Sequence, residues 1–295
     1  MKRIEIIGYR GEPLVGFMFK EVSSPIGVVQ VIHGMQEHGK RYEHFARYLN
    51  SKGYIVFVSD LRGHGENAKS IELQGHYDGD IYEDTVCDQV IISNTLKQMF
   101  NLPLYIVGHS YGSFITQEYM TRCDIADKVV LVGSAYARNF AYKFGNFVAK
   151  MNSISMKNKP ARLIERCSFK AYGKKFPNGN WLTHDEEIFD RYINDPYCGK
   201  SFPYSFYRSF FRGVLNNYKK LDNIRKDIQI LIVSGDEDPV GCKGRLTTKL
   251  YEVYKKQGLF VAYKLYPGGR HEILNEPYKE DVYNYIISFL ENRFE

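Results

Sequence analysis

The sequence predicts an α/β fold in which helices flank a mainly parallel central sheet, with a helical segment inserted into it. Short runs rich in Val and Ile alternate along the chain with amphipathic stretches. This alternation is typical of parallel strands buried between helices. It is lost after Ser134 and resumes near Ile228. The 295 residues, of which 44% are hydrophobic and 25% charged, are also ordinary for a globular chain.

Six apolar runs are predicted to form strands of the sheet, at residues 28–32, 54–59, 104–107, 129–132, 228–233 and 261–266. Two further strands open the chain as a hairpin, with Gly11-Glu12-Pro13 between them. Helices are predicted where apolar residues recur at helical spacing. Four helices are predicted in this way. The first contains Tyr42, Phe45, Ala46 and Leu49, the second covers residues 114–120, the third runs through Tyr254, and the last contains Val282, Ile286, Phe289 and Leu290.

The chain is therefore predicted to be one domain overall. Residues 1–134 and 221–295 form the α/β core, and residues 135–220, called here the inserted segment, interrupt it. The inserted segment is rich in aromatic residues and lysine, shows helical patches and contains no clear strand.

The cysteines and the first residues of the chain indicate the cellular compartment of the protein. The five cysteines are an odd number without a C-x-x-C pair, which favours reduced thiols over a disulfide framework. The first residues, Met1-Lys2-Arg3-Ile4-Glu5-Ile6-Ile7-Gly8, hold only a very short apolar run, and no apolar run in the chain is long enough for a membrane span. We expect a cytoplasmic protein.

The net charge of +6 is concentrated in one region, because residues 138–175 contain ten Lys or Arg and a single acid, Glu165. This surplus fits either transient contact with an anionic membrane surface or a solvated helical face, and the sequence leaves both open. No recognition motif accompanies the charge, so nucleic acid is not an expected partner.

The strongest chemical signal is Gly108-His109-Ser110-Tyr111-Gly112, which matches the pattern G-x-S-x-G. An apolar strand precedes it and a helical run follows. A sharp turn between the two would raise the Ser110 hydroxyl above the sheet, while the flanking glycines allow close backbone approach. Ser110 is therefore the candidate nucleophile.

A serine hydroxyl needs a base to remove its proton, and a carboxylate to orient that base. His271 follows the last predicted strand, in Gly268-Gly269-Arg270-His271-Glu272, and is the candidate base. The candidate acid lies in Gly235-Asp236-Glu237-Asp238-Pro239, after the preceding strand. Asp238 is favoured because its proline neighbour would fix the loop, and Asp236 remains the alternative.

An oxyanion hole is expected from backbone N–H groups. The turn His33-Gly34-Met35 ends a central strand, and Tyr111 follows the nucleophile, so the N–H groups of Met35 and Tyr111 are the candidates. His33, His38, His44, His64 and His76 could suggest a metal site. They lack the H-E-x-x-H or C-x-x-C spacing of such sites, so neither a metal nor another cofactor is predicted.

Four segments together resemble the monoacylglycerol lipase and lysophospholipase branch of the α/β-hydrolases, often labelled serine aminopeptidase-like. The segments are residues 33–42 (HGMQEHGKRY), residues 60–65 (DLRGHG), residues 108–112 (GHSYG), and residues 235–238 (GDED) with residues 270–272 (RHE). The resemblance implies an α/β-hydrolase fold, Asp238 as the acid, and a cap formed by the inserted segment. It also implies that Glu37 and Arg41 line the polar-headgroup side of the substrate pocket. Such lipases commonly carry a second histidine three residues after the catalytic one. This chain has Leu274 at that position.

The resemblance implies a serine hydrolase that cleaves carboxylic esters, with a monoacylglycerol or a lysophospholipid as the expected substrate. The alternatives are a proline iminopeptidase-type aminopeptidase and a ligand-binding homologue that has lost catalysis. The scarcity of acids in residues 138–175 favours an ester, because an aminopeptidase needs a carboxylate for the substrate amine. Aromatic residues of the inserted segment could line an acyl tunnel, although we expect most of them only to hold the segment together: Phe140, Tyr142, Phe144, Phe147, Trp181, Phe202, Tyr204, Phe206, Tyr207, Phe210 and Phe211.

Overall fold

The computed structural model describes residues 1–293, and within them eight strands form one sheet in the order β1-β2-β4-β3-β5-β6-β7-β8. Strands β1 and β2 form an antiparallel hairpin, β2 is antiparallel to β4, and the remaining neighbours are parallel. The prediction of a mainly parallel sheet is confirmed, and the six predicted strands correspond to β3–β8. The strands are β1 (Lys2–Ile7), β2 (Pro13–Phe19), β3 (Gly27–Ile32), β4 (Tyr54–Ser59), β5 (Leu104–His109), β6 (Lys128–Val132), β7 (Gln229–Gly235) and β8 (Phe260–Tyr266).

Helices cover both faces of the sheet. Helices α1 and α10 pack on one face, while α2, α3 and α9 pack on the other. The predicted apolar stripe of α10 is buried, with Val282, Ile286 and Phe289 each at 0% exposure. The helices are α1 (Glu43–Ser51), α2 (Ile81–Phe100), α3 (Tyr111–Tyr119), α4 (Phe140–Ser155), α5 (Arg162–Cys167), α6 (Phe169–Gly173), α7 (Glu186–Asn194), α8 (Tyr204–Asn217), α9 (Arg245–Lys256) and α10 (Lys279–Leu290).

Helix α2 is absent from the sequence predictions because its buried face is partly polar. Asp88, Gln89 and Ser93 are buried beside its apolar residues. Gln30, in the middle of β3, donates to the Gln89 side chain at 3.0 Å and accepts from the Ser93 hydroxyl at 2.7 Å. Polar groups that satisfy one another inside the protein weaken the apolar periodicity that marks a helix.

Helices α4–α8 lie between β6 and β7 in the chain. Helix α4 packs on α8, and α8 packs on α2 and α3, which joins the inserted segment to the core. The crossing of α4 and α8 is close, since a side chain at Gly145 would overlap the Phe211 ring. Within residues 1–293, every helix is too short or too polar to span a lipid bilayer.

Candidate active site

Ser110 occupies the turn between β5 and α3, the strand–turn–helix context that its motif predicts. Its backbone has φ 50° and ψ −116°, a conformation that is costly for any residue with a side chain and is often found at functional sites. The two flanking glycines are required because there is no room for a side chain at either position. A side chain at Gly112 would overlap the carbonyl oxygens of Ile32 and His33, and one at Gly108 would overlap the carbonyl of Gly112.

His271 and Asp238 lie beside Ser110, although they come from distant parts of the chain. The His271 Nε2 atom is 2.8 Å from the Ser110 Oγ atom. On the other side of the ring, Nδ1 is 3.0 Å from the Asp238 Oδ2 atom. Since β5, β7 and β8 run parallel, their carboxyl ends bring the three loops to the same edge of the sheet. The result is a continuous hydroxyl–imidazole–carboxylate chain.

The two candidate acids have different surroundings. Asp238 is completely buried and accepts hydrogen bonds from the Ser234 hydroxyl at 3.2 Å and the Val240 N–H at 2.8 Å. Asp236 instead accepts from the N–H of Gly268 at 2.7 Å and braces the loop before His271. The geometry therefore brings Asp238, and not Asp236, to the imidazole.

The N–H groups of Met35 and Tyr111 are both available for a ligand. Both residues line the cavity beside Ser110, and neither N–H donates to another group among residues 1–293. The Tyr111 N–H is at the first position of α3, where helical N–H groups have no partner within the helix. The turn before Met35 is fixed because the Gly34 N–H donates to the Glu37 carboxylate at 2.6 Å.

Glu37 and Arg41 form a buried ion cluster with Glu272. Arg41 donates to both oxygens of Glu272, at 2.9 and 2.8 Å, and to Glu37. Glu37 also accepts from the Tyr42 hydroxyl at 2.8 Å. Although burial favours a neutral carboxyl, the Arg41 charge holds the pKa of Glu37 well below its ordinary value and also lowers that of Glu272. All three charged residues line the cavity, but the cluster itself already satisfies their charges.

His109, the second residue of the motif, joins this cluster to the His271 loop. Its Nδ1 atom is 2.8 Å from the Tyr42 hydroxyl and 3.3 Å from Glu37. Its Nε2 atom is 3.3 Å from the backbone carbonyl of His271. Burial alone would lower the pKa of His109, but the hydrogen bond and charge of Glu37 raise it above its ordinary value. No local pattern in the sequence indicates this role of His109, because its partners are far away in the chain.

His33 and His64 brace loops beneath the site. The Nε2 atom of His33 accepts from the Leu61 N–H at 2.9 Å, and its Nδ1 atom lies 2.8 Å from the carbonyl of Gly34. The Nδ1 atom of His64 lies 2.9 Å from the carbonyl of Arg62. Burial lowers the pKa of His33 to about 4 and that of His64 to about 3, so both rings are neutral in the folded protein.

One group of side chains has the ligand types of a metal site. His38, Asp195 and Cys198 place their ligand atoms within 4.8 Å of one another. The His38 Nε2 atom is also 2.8 Å from the Asp195 Oδ2 atom. This contact joins the loop after β3 to the inserted segment, so it already has a structural role as a hydrogen-bonded pair.

A cavity of about 1130 Å³ lies between the core and the inserted segment, with Ser110 and His271 in its wall. Seven of the eleven aromatic residues singled out from the sequence line it, so the expectation that most would only hold the segment together is wrong. Six of the seven lie on α4 and α8, and both of these helices border the cavity. The seven are Phe140, Tyr142, Phe144, Trp181, Tyr207, Phe210 and Phe211.

Comparison with known proteins gives consistent matches over most of the chain. The model of the family described as "Serine aminopeptidase, S33" matches residues 23–278. A monoacylglycerol lipase from Mycolicibacterium smegmatis is 26% identical over 293 residues, covering 96% of this chain and 96% of the relative. The phospholipase YtpA of Bacillus subtilis is 22% identical over 271 residues, covering 90% of this chain and 95% of the relative.

Among solved structures, a thermostable carboxyl esterase from Bacillus coagulans in complex with glycerol superposes with a TM-score of 0.90 at 23% identity. The superposition covers 99% of this chain and 98% of the esterase. At this identity the likeness concerns the fold alone.

Proposed function

Since the chain belongs to the serine aminopeptidase S33 family and is a serine hydrolase of the α/β-hydrolase fold, we propose that it cleaves lipid-like carboxylic esters through Ser110, His271 and Asp238. The family match confirms the resemblance found in the sequence. The observation that carries the proposal is the hydrogen-bonded chain from Ser110 through His271 to Asp238, in the wall of a large aromatic-lined cavity.

The proposed reaction has two acyl-transfer steps. The Ser110 oxygen attacks the ester carbonyl carbon while His271 Nε2 takes the hydroxyl proton, and the Asp238 carboxylate holds the ring in the required tautomer. The tetrahedral intermediate expels the alcohol, which receives the proton from Nε2. Water then attacks the acyl-enzyme by the same route and releases the acid.

The negative oxygen of each intermediate needs donors that are already in position. The N–H groups of Met35 and Tyr111 meet this need, since both are without a partner among the described residues and both lie at the cavity wall. Glu37 supports this arrangement indirectly because it fixes the Gly34 N–H in the turn before Met35.

The size and lining of the cavity support a substrate with a long acyl chain. Its volume of about 1130 Å³ slightly exceeds the usual range for small-molecule sites, which ends at about 1,000 Å³. Its aromatic walls would bury methylene groups, each of which contributes about 0.8 kcal/mol. The two relatives described above are named as a monoacylglycerol lipase and a phospholipase, which supports a lipid substrate.

Aminopeptidase activity is less well supported. It needs a carboxylate to hold the substrate amine, and the carboxylates in the cavity wall already have partners. Glu37 and Glu272 are paired with Arg41. Glu165 accepts from the Phe202 N–H at 2.9 Å and from the Tyr207 hydroxyl at 3.2 Å. Among the cavity-lining residues described, no further Asp or Glu is present to hold a substrate amine.

We also propose that the inserted segment acts as a cap that contacts an anionic lipid surface through α4. Five large apolar residues on this helix are strongly exposed: Phe140 (81%), Phe144 (54%), Phe147 (59%), Met151 (50%) and Ile154 (74%). Their spacing confines them to an arc of about 80° on the helix. Exposed lysines at 143, 150 and 157 flank this stripe.

The position of this α4 stripe favours a role in substrate entry. Phe140 and Phe144 belong both to the stripe and to the cavity wall. A helix that buries an apolar face in a lipid surface, with basic residues beside it, gains both apolar burial and attraction to anionic headgroups. A lipid leaving that surface would reach the cavity without crossing water.

Hydrolysis assays test the proposal directly. The purified chain is expected to hydrolyse monoacylglycerols or lysophospholipids of graded chain length, and not an amino-terminal prolyl amide. Ser110→Ala is expected to lower turnover by about a millionfold. Ser51→Ala, at the exposed end of α1, is the control. Near-normal turnover in Ser110→Ala would contradict the mechanism, and ligand binding without product release would favour a non-catalytic homologue.

A further inference from the structure

Trp181 is the one tryptophan of the chain and packs directly on the candidate base. Its ring centroid is 5.1 Å from that of His271, and the two planes are inclined by only 29°. The two residues are also joined through the backbone, since the His271 N–H donates to the Trp181 carbonyl at 3.4 Å. A side chain of the inserted segment therefore covers one face of the imidazole.

The position of Trp181 is fixed from both sides. Phe169 of α6 stacks on the indole at 5.8 Å with an interplanar angle of 8°, and Tyr172 meets it edge-on at 5.4 Å. From the core, Arg270 donates to the carbonyls of Asn180 and Thr183, at 2.8 and 2.9 Å. The aromatic stack Phe169–Trp181–His271 thus connects the inserted segment to the core.

The face of an indole ring is electron-rich and attracts cations within about 6 Å of its centroid. A neutral imidazole gains little from this attraction, whereas the imidazolium formed during acyl transfer gains more. We propose that Trp181 is a positioning residue that holds the His271 ring against Ser110 and favours its protonated form. The inference rests on the proposed function, because it assumes that His271 is the base.

The other charged or titratable groups around His271 belong to several elements. Asp238, from the loop after β7, bonds Nδ1. His109 of β5 lies at a ring distance of 5.0 Å and is paired with Glu37 of the β3–α1 loop. Of its sequence neighbours, Glu272 is paired with Arg41, and Arg270 points to the carbonyls of Asn180 and Thr183.

Tyr172 completes this set from the inserted segment. Burial raises its pKa to about 12, so it stays neutral over the working range. The core groups named above belong to other residues, so a substitution at position 181 removes only the indole from the surroundings of His271.

Intrinsic fluorescence tests the contact without relying on turnover, because all tryptophan emission comes from Trp181. A protonated imidazole in contact with an indole quenches its emission more strongly than a neutral one. Emission should therefore fall on acidification, with a midpoint that matches the acid limb of the kcat/KM profile. The transition should disappear in His271→Gln and persist in His184→Gln, which changes a half-exposed histidine near the same loop. A transition that persists in His271→Gln would overturn the proposal.

Two substitutions then separate positioning from packing. Trp181→Leu keeps an apolar side chain but removes the ring, so the acid limb of kcat/KM should move to lower pH by about 0.5 unit and kcat should fall about two- to fivefold. Trp181→Phe should show a smaller shift in the same direction. A fall in kcat without any movement of the acid limb would overturn the proposal, because packing alone predicts that result.

The failure of this inference is distinguishable from failure of the proposed function. Ser110→Ala removes turnover but keeps Trp181 and His271, so its fluorescence transition should remain. An active enzyme without the transition would contradict the role of Trp181 alone. An inactive wild-type protein that shows the transition would contradict the proposed hydrolase and leave the stacking contact intact.

Discussion

The carboxyl edge of the sheet and the inserted segment above it differ in which side chains they bury and which they expose. At the sheet edge, ionic groups are buried and paired, as in the cluster of Glu37, Arg41 and Glu272. In the inserted segment, apolar side chains are exposed. More than half of the exposed large hydrophobic residues in the described part of the chain lie between Phe140 and Ile193.

The proposed function assigns a different role to each region. Reacting groups must be held within a few tenths of an ångström, and buried, fully paired neighbours provide this rigidity. A surface that meets a lipid needs no such precision, but it must keep apolar area open, at a cost in solubility. Four predictions test whether the two regions divide the work in this way.

The largest effect is expected from Asp238→Asn. An amide in place of the carboxylate favours the wrong tautomer of His271, and kcat should fall by about ten-thousandfold with the fold intact. Asp236→Asn, two residues away, is the matched control and should stay within a few-fold of wild type. Steady-state kinetics with a monoacylglycerol measures both. Equal losses in the two variants would refute the assignment of the acid.

Arg41→Ala should lower the free energy of unfolding by about 3–5 kcal/mol, because two buried carboxylates would lose their counterion. The control is Arg47→Ala on α1, whose partner Glu43 is exposed, with an expected change within about 0.5 kcal/mol. Urea denaturation provides the comparison. If Arg41→Ala instead kept its stability and only raised KM, Arg41 would serve mainly to bind the headgroup.

Acidification should destabilise the loops beneath the site. The pKa of His33 is lowered to about 4 and that of His64 to about 3 by burial, whereas an imidazole in the unfolded chain takes up a proton near pH 6.5. Between about pH 6.5 and 5, the unfolded state therefore binds more protons, and stability falls as pH falls. Each histidine contributes up to about 1.4 kcal/mol per pH unit.

Urea denaturation at several pH values measures this slope. His64→Gln removes one of the two titrating rings and should lose about half of it. A wild-type free energy of unfolding that stays constant over this interval would show that the two rings are not kept neutral by burial.

The smallest effect on the fold is expected on α4. Phe147 and Ile154 belong to the α4 stripe but do not line the cavity. The double variant Phe147→Ser/Ile154→Ser should change the free energy of unfolding by less than about 1 kcal/mol. Its affinity for phosphatidylglycerol vesicles should nevertheless fall about tenfold or more.

The control for this variant changes two exposed apolar residues of the core, Ile26→Ser and Met99→Ser, and should keep its affinity for vesicles. Sedimentation with vesicles of increasing phosphatidylglycerol content distinguishes the two variants. If wild-type protein does not sediment with any of these vesicles, α4 is not a lipid-docking surface.

The core could be predicted from the sequence because its signals are local. Each of β3–β8 is an apolar run that ends at a turn, and Ser110, Asp238 and His271 all follow such runs. Parallel strands bring their carboxyl ends together whatever the details of packing. The sequence therefore indicated the groups around Ser110 that the structure brings within hydrogen-bonding distance.

The remaining features depend on contacts between distant residues. Arg41 and Glu272 are separated by 231 positions, and nothing local indicates that they pair. The stack of Trp181 on His271 depends on how the inserted segment folds over the sheet. Spacing also cannot separate the exposed stripe of α4 from the cavity-lining face of α8, because a helical apolar period is the same whether its face is buried or open.

Covalent labelling tests whether Ser110 is a nucleophile activated by His271. A fluorophosphonate reacts with a serine that is activated by a neighbouring base, and mass mapping identifies the modified residue. A single adduct is expected on the peptide that contains Ser110, and it should be lost in both Ser110→Ala and His271→Gln. An adduct on another serine, or an active enzyme that the reagent neither labels nor inhibits, would contradict this role of Ser110.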